Sequence, residues 1–211
     1  MSNEFLYPCF NKWVGSNWFI SDTHFGDIEI EKLRGIHAEE LIKNINKKVT
    51  KNDTLIILGD VGDLEYVKQL KAGYKILITG NHDKGASNYQ RKESNRLFDE
   101  VYSGQLTIRE NIVLSHEPAD FPYALNIHGH DHNGTDFKKY VLKHFDTNML
   151  REEMAKNYLE AIKINKLTKF NICAEWVGYI PVSLKDILKS GVLKNIDNIH
   201  RVAIDKAKEH K

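Results

Sequence analysis

Three histidines fall within five residues at His128-Gly129-His130-Asp131-His132, just after a short apolar run. The same arrangement recurs upstream. An apolar stretch stops, and a carboxylate, an imidazole or an amide follows. Asp22-Thr23-His24 comes after Trp18-Phe19-Ile20, Gly59-Asp60 after Leu55-Ile56-Ile57-Leu58, and Gly80-Asn81-His82-Asp83 after Ile76-Leu77-Ile78; His116 comes after Ile112-Val113-Leu114-Ser115. A mixed set of imidazole, carboxylate and amide suits divalent Mn, Fe, Co, Ni or Zn; it is neither a soft thiolate site nor an all-oxygen calcium site. The donors exceed what one four-coordinate zinc requires. Two ions sharing a bridging carboxylate would use them all.

Such donors need a scaffold that delivers them to one edge. Asn17–Ser21, Thr54–Leu58 and Lys75–Ile78 read as buried strands, each too short for a helix. Gly80 is expected to turn the chain sharply off the third strand through backbone angles other residues avoid. Open α/β sheets bind ligands at such strand ends. Residues two apart, as in Asp22/His24 and His130/His132, share a side if the chain is extended.

Between the strands, Leu41, Ile42, Ile45 and Val49 fall on one face of a helix over Ala38–Val49. Asp63 is placed to cap a helix over Leu64–Lys71. Residues 84–97 are polar and basic and read as a loop, with room for a short helix, beside the Asn-His-Asp turn, a candidate substrate rim. Glu100–Arg109 and Asn111–Leu114 read as strands interrupted at Ser103-Gly104 and Glu110-Asn111, and Ala124–Ile127 as another. Met149–Leu167 has helical character and lies in an expected insertion near 135–168. Lys169–Ala174 returns to strand, Ser183 caps a short helix through Leu188, and Gly191 ends it. Leu193–Glu209 reads as a final helix or tail. Strands alternating with helices give a single α/β domain over 1–211.

Composition excludes other classes. The chain has 211 residues, 41% hydrophobic and 28% charged, with a formal net charge of +1. That charge draws it neither to membranes nor to long nucleic acid. Cys9 and Cys173 form no metal or disulfide pattern, and no signal peptide or membrane span is visible, so a reduced, cytoplasmic setting is expected.

The five-part series Asp22-x-His24, Gly59-Asp60, Gly80-Asn81-His82-Asp83, His116 and Gly129-His130-x-His132 resembles the motif series of calcineurin-like metallophosphoesterases, from about Trp18 to His132. Asp22-Thr23-His24-Phe25-Gly26 and Tyr179-Ile180-Pro181-Val182-Ser183-Leu184 resemble its small single-domain bacterial and phage members. The resemblance implies a four-layer αββα sandwich of two mixed β-sheets flanked by helices. It also implies two divalent metal ions, Mn first, with Fe, Zn, Ni or Co as alternatives. Asp22, His24 and His132 would hold one ion, Asn81, His116 and His130 the other, and Asp60 would bridge. His82 would be catalytic, oriented by Asp83.

Two such ions neutralise a phosphate ester's charge and acidify water. His82 is then suited either to protonate the leaving alkoxide or to stabilise charge on a phosphoryl oxygen. His128 is expected to be packed or outer-shell and Glu175 structural. Asp27 stands where many small relatives carry a further histidine. His37, His144, His200 and His210 are expected at the surface. Phe121 and Tyr123 either stack a ring or pack their loop.

The expected function is hydrolysis of a small or nucleotide phosphodiester. The alternative is a phosphomonoesterase (nucleotide or protein phosphatase), with Lys84, Arg91 or Lys92 meeting the dianion. A nuclease ranks third, and a non-catalytic metal-binding scaffold is a minor alternative. A homodimer through 135–168 is a further expectation.

Overall fold

A computed structural model describes residues 6–84, 94–132 and 151–196. His144, His200, His210, Arg91 and Lys92 lie outside them, as do residues 197–209 of the expected final helix.

The expected strands form and sort into two sheets. The first contains β1 (Asn17–Ile20), β2 (Thr54–Ile57), β3 (Tyr74–Ile78) and β4 (Glu100–Tyr102), all parallel. The second contains β5 (Leu106–Arg109), β6 (Ile112–Leu114), β7 (Leu125–His128) and β8 (Lys169–Asn171). β9 (Val182–Ser183) returns antiparallel to β1, giving orders β4-β3-β2-β1-β9 and β5-β6-β7-β8. Both sheets are mixed, since β5 and β6 are antiparallel while β6, β7 and β8 are parallel. The break at Ser103-Gly104 is where the chain leaves the first sheet for the second.

Side-chain alternation fixes the layers. Phe19, Ile56, Ile76 and Ile78 share a core with Leu114, Leu125, Ile127 and Phe170 of the second sheet. Their neighbours Ile20, Leu55, Ile57 and Leu77 point the other way, onto α2 (Ala38–Lys48), which contributes Leu41, Ile42 and Ile45. The first sheet is therefore buried on both faces, as its continuous apolar strands require. Each fully buried Ile or Leu contributes roughly 1.5–3 kcal/mol.

Three elements depart from the sequence reading. Leu64–Gln69 is a 3₁₀ helix, though Asp63 caps it by accepting from Glu65 N at 3.0 Å. Only a short crossover remains there before β3, and short pieces suit the tighter helix. A helix α1 (Ile28–Arg34) was not foreseen; Asp27 caps it, accepting from Glu29 N and Ile30 N at 3.1 and 3.2 Å. Asn81–Lys84, read as a turn, closes into one helical turn, α3. The helix expected after the histidine cluster is α4 (Arg151–Ile164), whose Tyr158, Leu159 and Ile162 are buried in the core beside Phe170. α5 (Leu184–Ser190) is capped by Ser183, which accepts from Asp186 N at 3.1 Å, and is ended by a left-handed Gly191.

Register aligns the functional ends. Ile20 pairs with Ile57 and Ile57 with Leu77, so Asp22, Asp60 and Asn81 leave the same edge of the first sheet. Leu114 pairs with Ile127, which does the same for His116 and His130 in the second. A parallel bridge between Ser21 and Cys173 ties the two edges together.

Candidate metal centre

Asp60 is the meeting point. Its Oδ2 lies 3.9 Å from His24 Nε2 and 3.4 Å from His116 Nε2. On one side, Asp22, His24, Asp60 and His132 offer one ligand atom each, all within 4.8 Å of one another. On the other, Asn81 Oδ1 lies 2.8 Å from His116 Nε2 and 3.0 Å from His130 Nδ1, and the two rings' nitrogens are 3.2 Å apart. All seven residues expected as ligands thus gather in two groups around Asp60.

The backbone is strained to achieve this. Asp22, His24, Asp60 and His130 have φ of 55°, 42°, 53° and 70°. Left-handed backbone at a non-glycine residue costs of order 1–3 kcal/mol and clusters at functional sites. Asp22/His24 and His130/His132 therefore converge through left-handed turns and not through the extended alternation expected of them. Gly80 also differs from expectation. Gly59 has the positive φ, 90°, while Gly80 does not. A Cβ on Gly80 would collide with Asp60 Oδ1 and press on His116 Cε1. Its role is close approach.

The donor set fits divalent cations. Asp22 Oδ2 accepts from Ser21 Oγ at 2.5 Å, His130 N at 2.9 Å and Cys173 Sγ at 3.0 Å. Asp22 Oδ1 is buried and makes no hydrogen bond among the described residues, and His132 Nε2 faces it at 3.1 Å. His116 Nδ1 donates to the Leu58 carbonyl at 2.7 Å. Its Nε2 then carries a lone pair, facing the Asn81 and Asp60 oxygens. Electron-rich atoms packed this closely call for a positive charge between them.

The titration behaviour agrees. Burial pushes the Asp22 and Asp60 carboxyls up, but their histidine partners, His132 and His116, hold both below the usual range. Burial opposes charge on His132, yet Asp22 and Glu175 hold its pKa up to about 10. Burial likewise opposes charge on His116, and contacts led by Asp60 raise it overall. Burial, reinforced by Arg34, lowers His24.

A family model for calcineurin-like phosphoesterases matches residues 17–210. The chain belongs to that family. Among solved structures, a protein of unknown function from Aquifex aeolicus is 26% identical, with a TM-score of 0.55, over 82% of this chain and 98% of its own. Nuclease MPE from Pseudomonas putida is 22% identical, with a TM-score of 0.41, over 55% of this chain and 61% of its own. A phosphopantetheinyl hydrolase from Mycobacterium tuberculosis is 16% identical, with a TM-score of 0.29, over 48% and 42%. No curated protein matches.

In this phosphoesterase the catalytic pair of the sequence reading separates. The His82 side chain is 70% exposed, with Nε2 4.0 Å from Asp60 Oδ2 and its ring edge-on to His24. Asp83 does not meet that ring. Its carboxylate accepts from Gly80 N and Asp60 N, both at 2.8 Å, and from Val61 N at 3.2 Å. Asp83 is thus a backbone clamp, and it acts on His82 only through the turn they share.

Four contributors escaped the sequence reading. Glu175 Oε1 lies 2.6 Å from His132 Nδ1, and its Oε2 lies 2.9 Å from Arg34 Nη2. Ser21 and Cys173 both bond Asp22. None carries a local motif. His128 is buried as expected, with Nδ1 bonded to the Gly129 carbonyl. His37 is exposed and pairs with Glu31 at 2.9 Å. Phe121 and Tyr123 meet edge-on, 6.2 Å between centroids.

Proposed function

We propose that this phosphoesterase hydrolyses small phosphodiesters, nucleotide diesters among them, at the centre around Asp60. The convergence of six further N and O donor residues from two sheets on the buried Asp60 carboxylate carries this reading. Asp22, His24 and His132 would hold one divalent ion, Asn81, His116 and His130 a second, and Asp60 both. Mn is the first choice for this set. When bound, two such ions supply neutralising charge for the phosphoryl group and lower the pKa of water.

The chain's own residues supply the rest. Asp83 holds the turns that carry Asp60 and Asn81. Glu175 accepts from His132 Nδ1–H, so Nε2 is the nitrogen that would face an ion that displaces its proton. His82, exposed beside Asp60, is placed to protonate the departing alkoxide, an effect worth ~10²–10⁴-fold. The diester preference rests on charge. Among the described residues, Arg34 is the cation beside His132; its side chain is only 7% exposed and pairs with Glu175, so it offers the rim no free charge for a dianionic monoester.

The test compares bis-p-nitrophenyl phosphate with p-nitrophenyl phosphate, using metal-stripped protein and protein reloaded with Mn. Faster diester cleavage, seen only after reloading, is expected. Faster monoester cleavage would move the reading to a phosphomonoesterase. Metal binding without turnover on either would leave a scaffold.

A further inference from the structure

Helix α1 (Ile28–Arg34) inverts the usual order of burial. It leaves Ile28 65% and Leu33 77% exposed and buries no apolar residue. The side chain of Arg34, its last residue, is only 7% exposed. Taking a guanidinium out of water is costly unless partners answer it. Here the two terminal nitrogens meet two separate parts of the metal centre.

Arg34 Nη1 donates to the Thr23 backbone carbonyl at 3.3 Å. Thr23 stands between Asp22 and His24, both left-handed, with φ of 55° and 42°. The peptide joining Thr23 to His24 is thereby held from both sides, since His24 N donates to the Asp60 backbone carbonyl at 3.0 Å. Nη2 pairs with Glu175 Oε2 at 2.9 Å, an oxygen that is buried and makes no hydrogen bond among the described residues. The other Glu175 oxygen accepts from His132 Nδ1–H at 2.6 Å. Nη2 also lies 3.1 Å from that nitrogen, but the proton there is directed at Glu175, so the partner of the guanidinium is the carboxylate. One planar cation thus spans from the Asp22–His24 turn to the carboxylate behind His132. A guanidinium offers a rigid fork for such a span, whereas an ammonium is a point charge.

We propose that Arg34 is a positioning residue, whose fork braces Asp22, His24 and His132, the three residues that would hold one ion, and not the group around Asn81. The proposal rests on reading those three residues as ligands of one ion. Asp83 ties together the turns that carry Asp60 and Asn81; Arg34 ties the turn after β1 to the loop after β7.

Calorimetric titration of the metal-stripped full chain with Mn tests it. Two binding events are expected in the unmutated chain. In Arg34→Met one of them should weaken by about 10–100-fold, as is typical of groups behind metal ligands, while the other holds its affinity. In a His24→Ala background, which already cuts that ion, Arg34→Met should change Mn binding no further. Arg34→Lys keeps the charge but not the fork, and should also weaken one event at least about tenfold. Where Arg34→Met does not fold, Arg34→Lys decides by the same readout. Equal weakening of both events would make Arg34 a support of the fold at large. That result, unchanged affinity in Arg34→Met, or full affinity in Arg34→Lys would each overturn the proposal while the metal centre stands. An unmutated chain that binds no Mn would overturn the reading of the centre itself, and the proposal with it.

Discussion

His132 stands between two carboxylates, with Nδ1 2.6 Å from Glu175 Oε1 and Nε2 3.1 Å from Asp22 Oδ1. Glu175 can only accept, so Nδ1 carries its proton toward it and Nε2 is the nitrogen on which a metal ion would replace a proton. Carboxylates behind ligating histidines are typically worth 10–100-fold in metal affinity. Glu175→Ala is therefore expected to weaken Mn binding by about that factor, read by titrating stripped protein. Glu175→Gln keeps an acceptor and should lose less. Wild-type affinity in Glu175→Ala would remove Glu175 from the centre.

The seven expected ligands were legible because they follow five strand ends. Asp60 and Asn81 sit at the ends of apolar runs, and sequence alone shows that. Glu175 was not legible. It meets His132 across 43 residues only because the Ser21–Cys173 bridge draws the segment after β8 to the first sheet. Arg34 reaches His132 across 98 residues from a helix with no buried apolar face, so no periodicity announced it. The left-handed turns at Asp22 and His130 were equally hidden, because aspartate and histidine carry no backbone signal comparable to glycine.

Gly80 provides a steric test. A Cβ there would collide with Asp60 Oδ1, whereas one on Gly104 meets nothing within 4 Å. Overpacking of this kind costs about 1–3 kcal/mol, and here it would displace the shared carboxylate. Gly80→Ala is expected to lose metal binding and turnover together. Gly104→Ala should match wild type in both. Intact Mn affinity in Gly80→Ala would show that the turn can give way.

Glu100 provides the pH dependence. It accepts from Tyr74 OH and Tyr102 OH at 2.7 Å each and from Trp13 Nε1 at 3.2 Å. Burial pushes its carboxyl up, but these donors, Tyr102 foremost, hold it below the ordinary value. A depressed folded-state pKa stabilises above the unfolded value of about 4.3, and the gain is lost as pH falls through the folded one. Glu100→Gln is expected to cost about 1–3 kcal/mol at pH 7. Urea melts should show that gap closing below about pH 4. A gap independent of pH would mean the loss is steric.

His82 stands outside both groups, exposed and 4.0 Å from Asp60. His82→Ala is expected to lower turnover by about 10²–10⁴-fold while Mn affinity stays at the wild-type value. Parallel loss of metal would instead make His82 a ligand.

Asp83 must behave differently from His82 if the clamp is right. One of its oxygens accepts from both Gly80 N and Asp60 N at 2.8 Å, and the other from Val61 N at 3.2 Å. It thereby joins the turn after β2 to the turn after β3, and so the shared carboxylate to the second group. Asn in its place sets an amide N–H₂ against at least one backbone N–H. An unsatisfied buried donor costs about 1–3 kcal/mol. Asp83→Asn is expected to lower stability by about that amount, and to weaken Mn binding and turnover together. A role confined to orienting the His82 ring gives another pattern, with turnover falling while melting temperature and Mn affinity hold. Measuring all three on Asp83→Asn and His82→Ala side by side separates the two. Coincident behaviour of the variants would return Asp83 to the catalytic histidine.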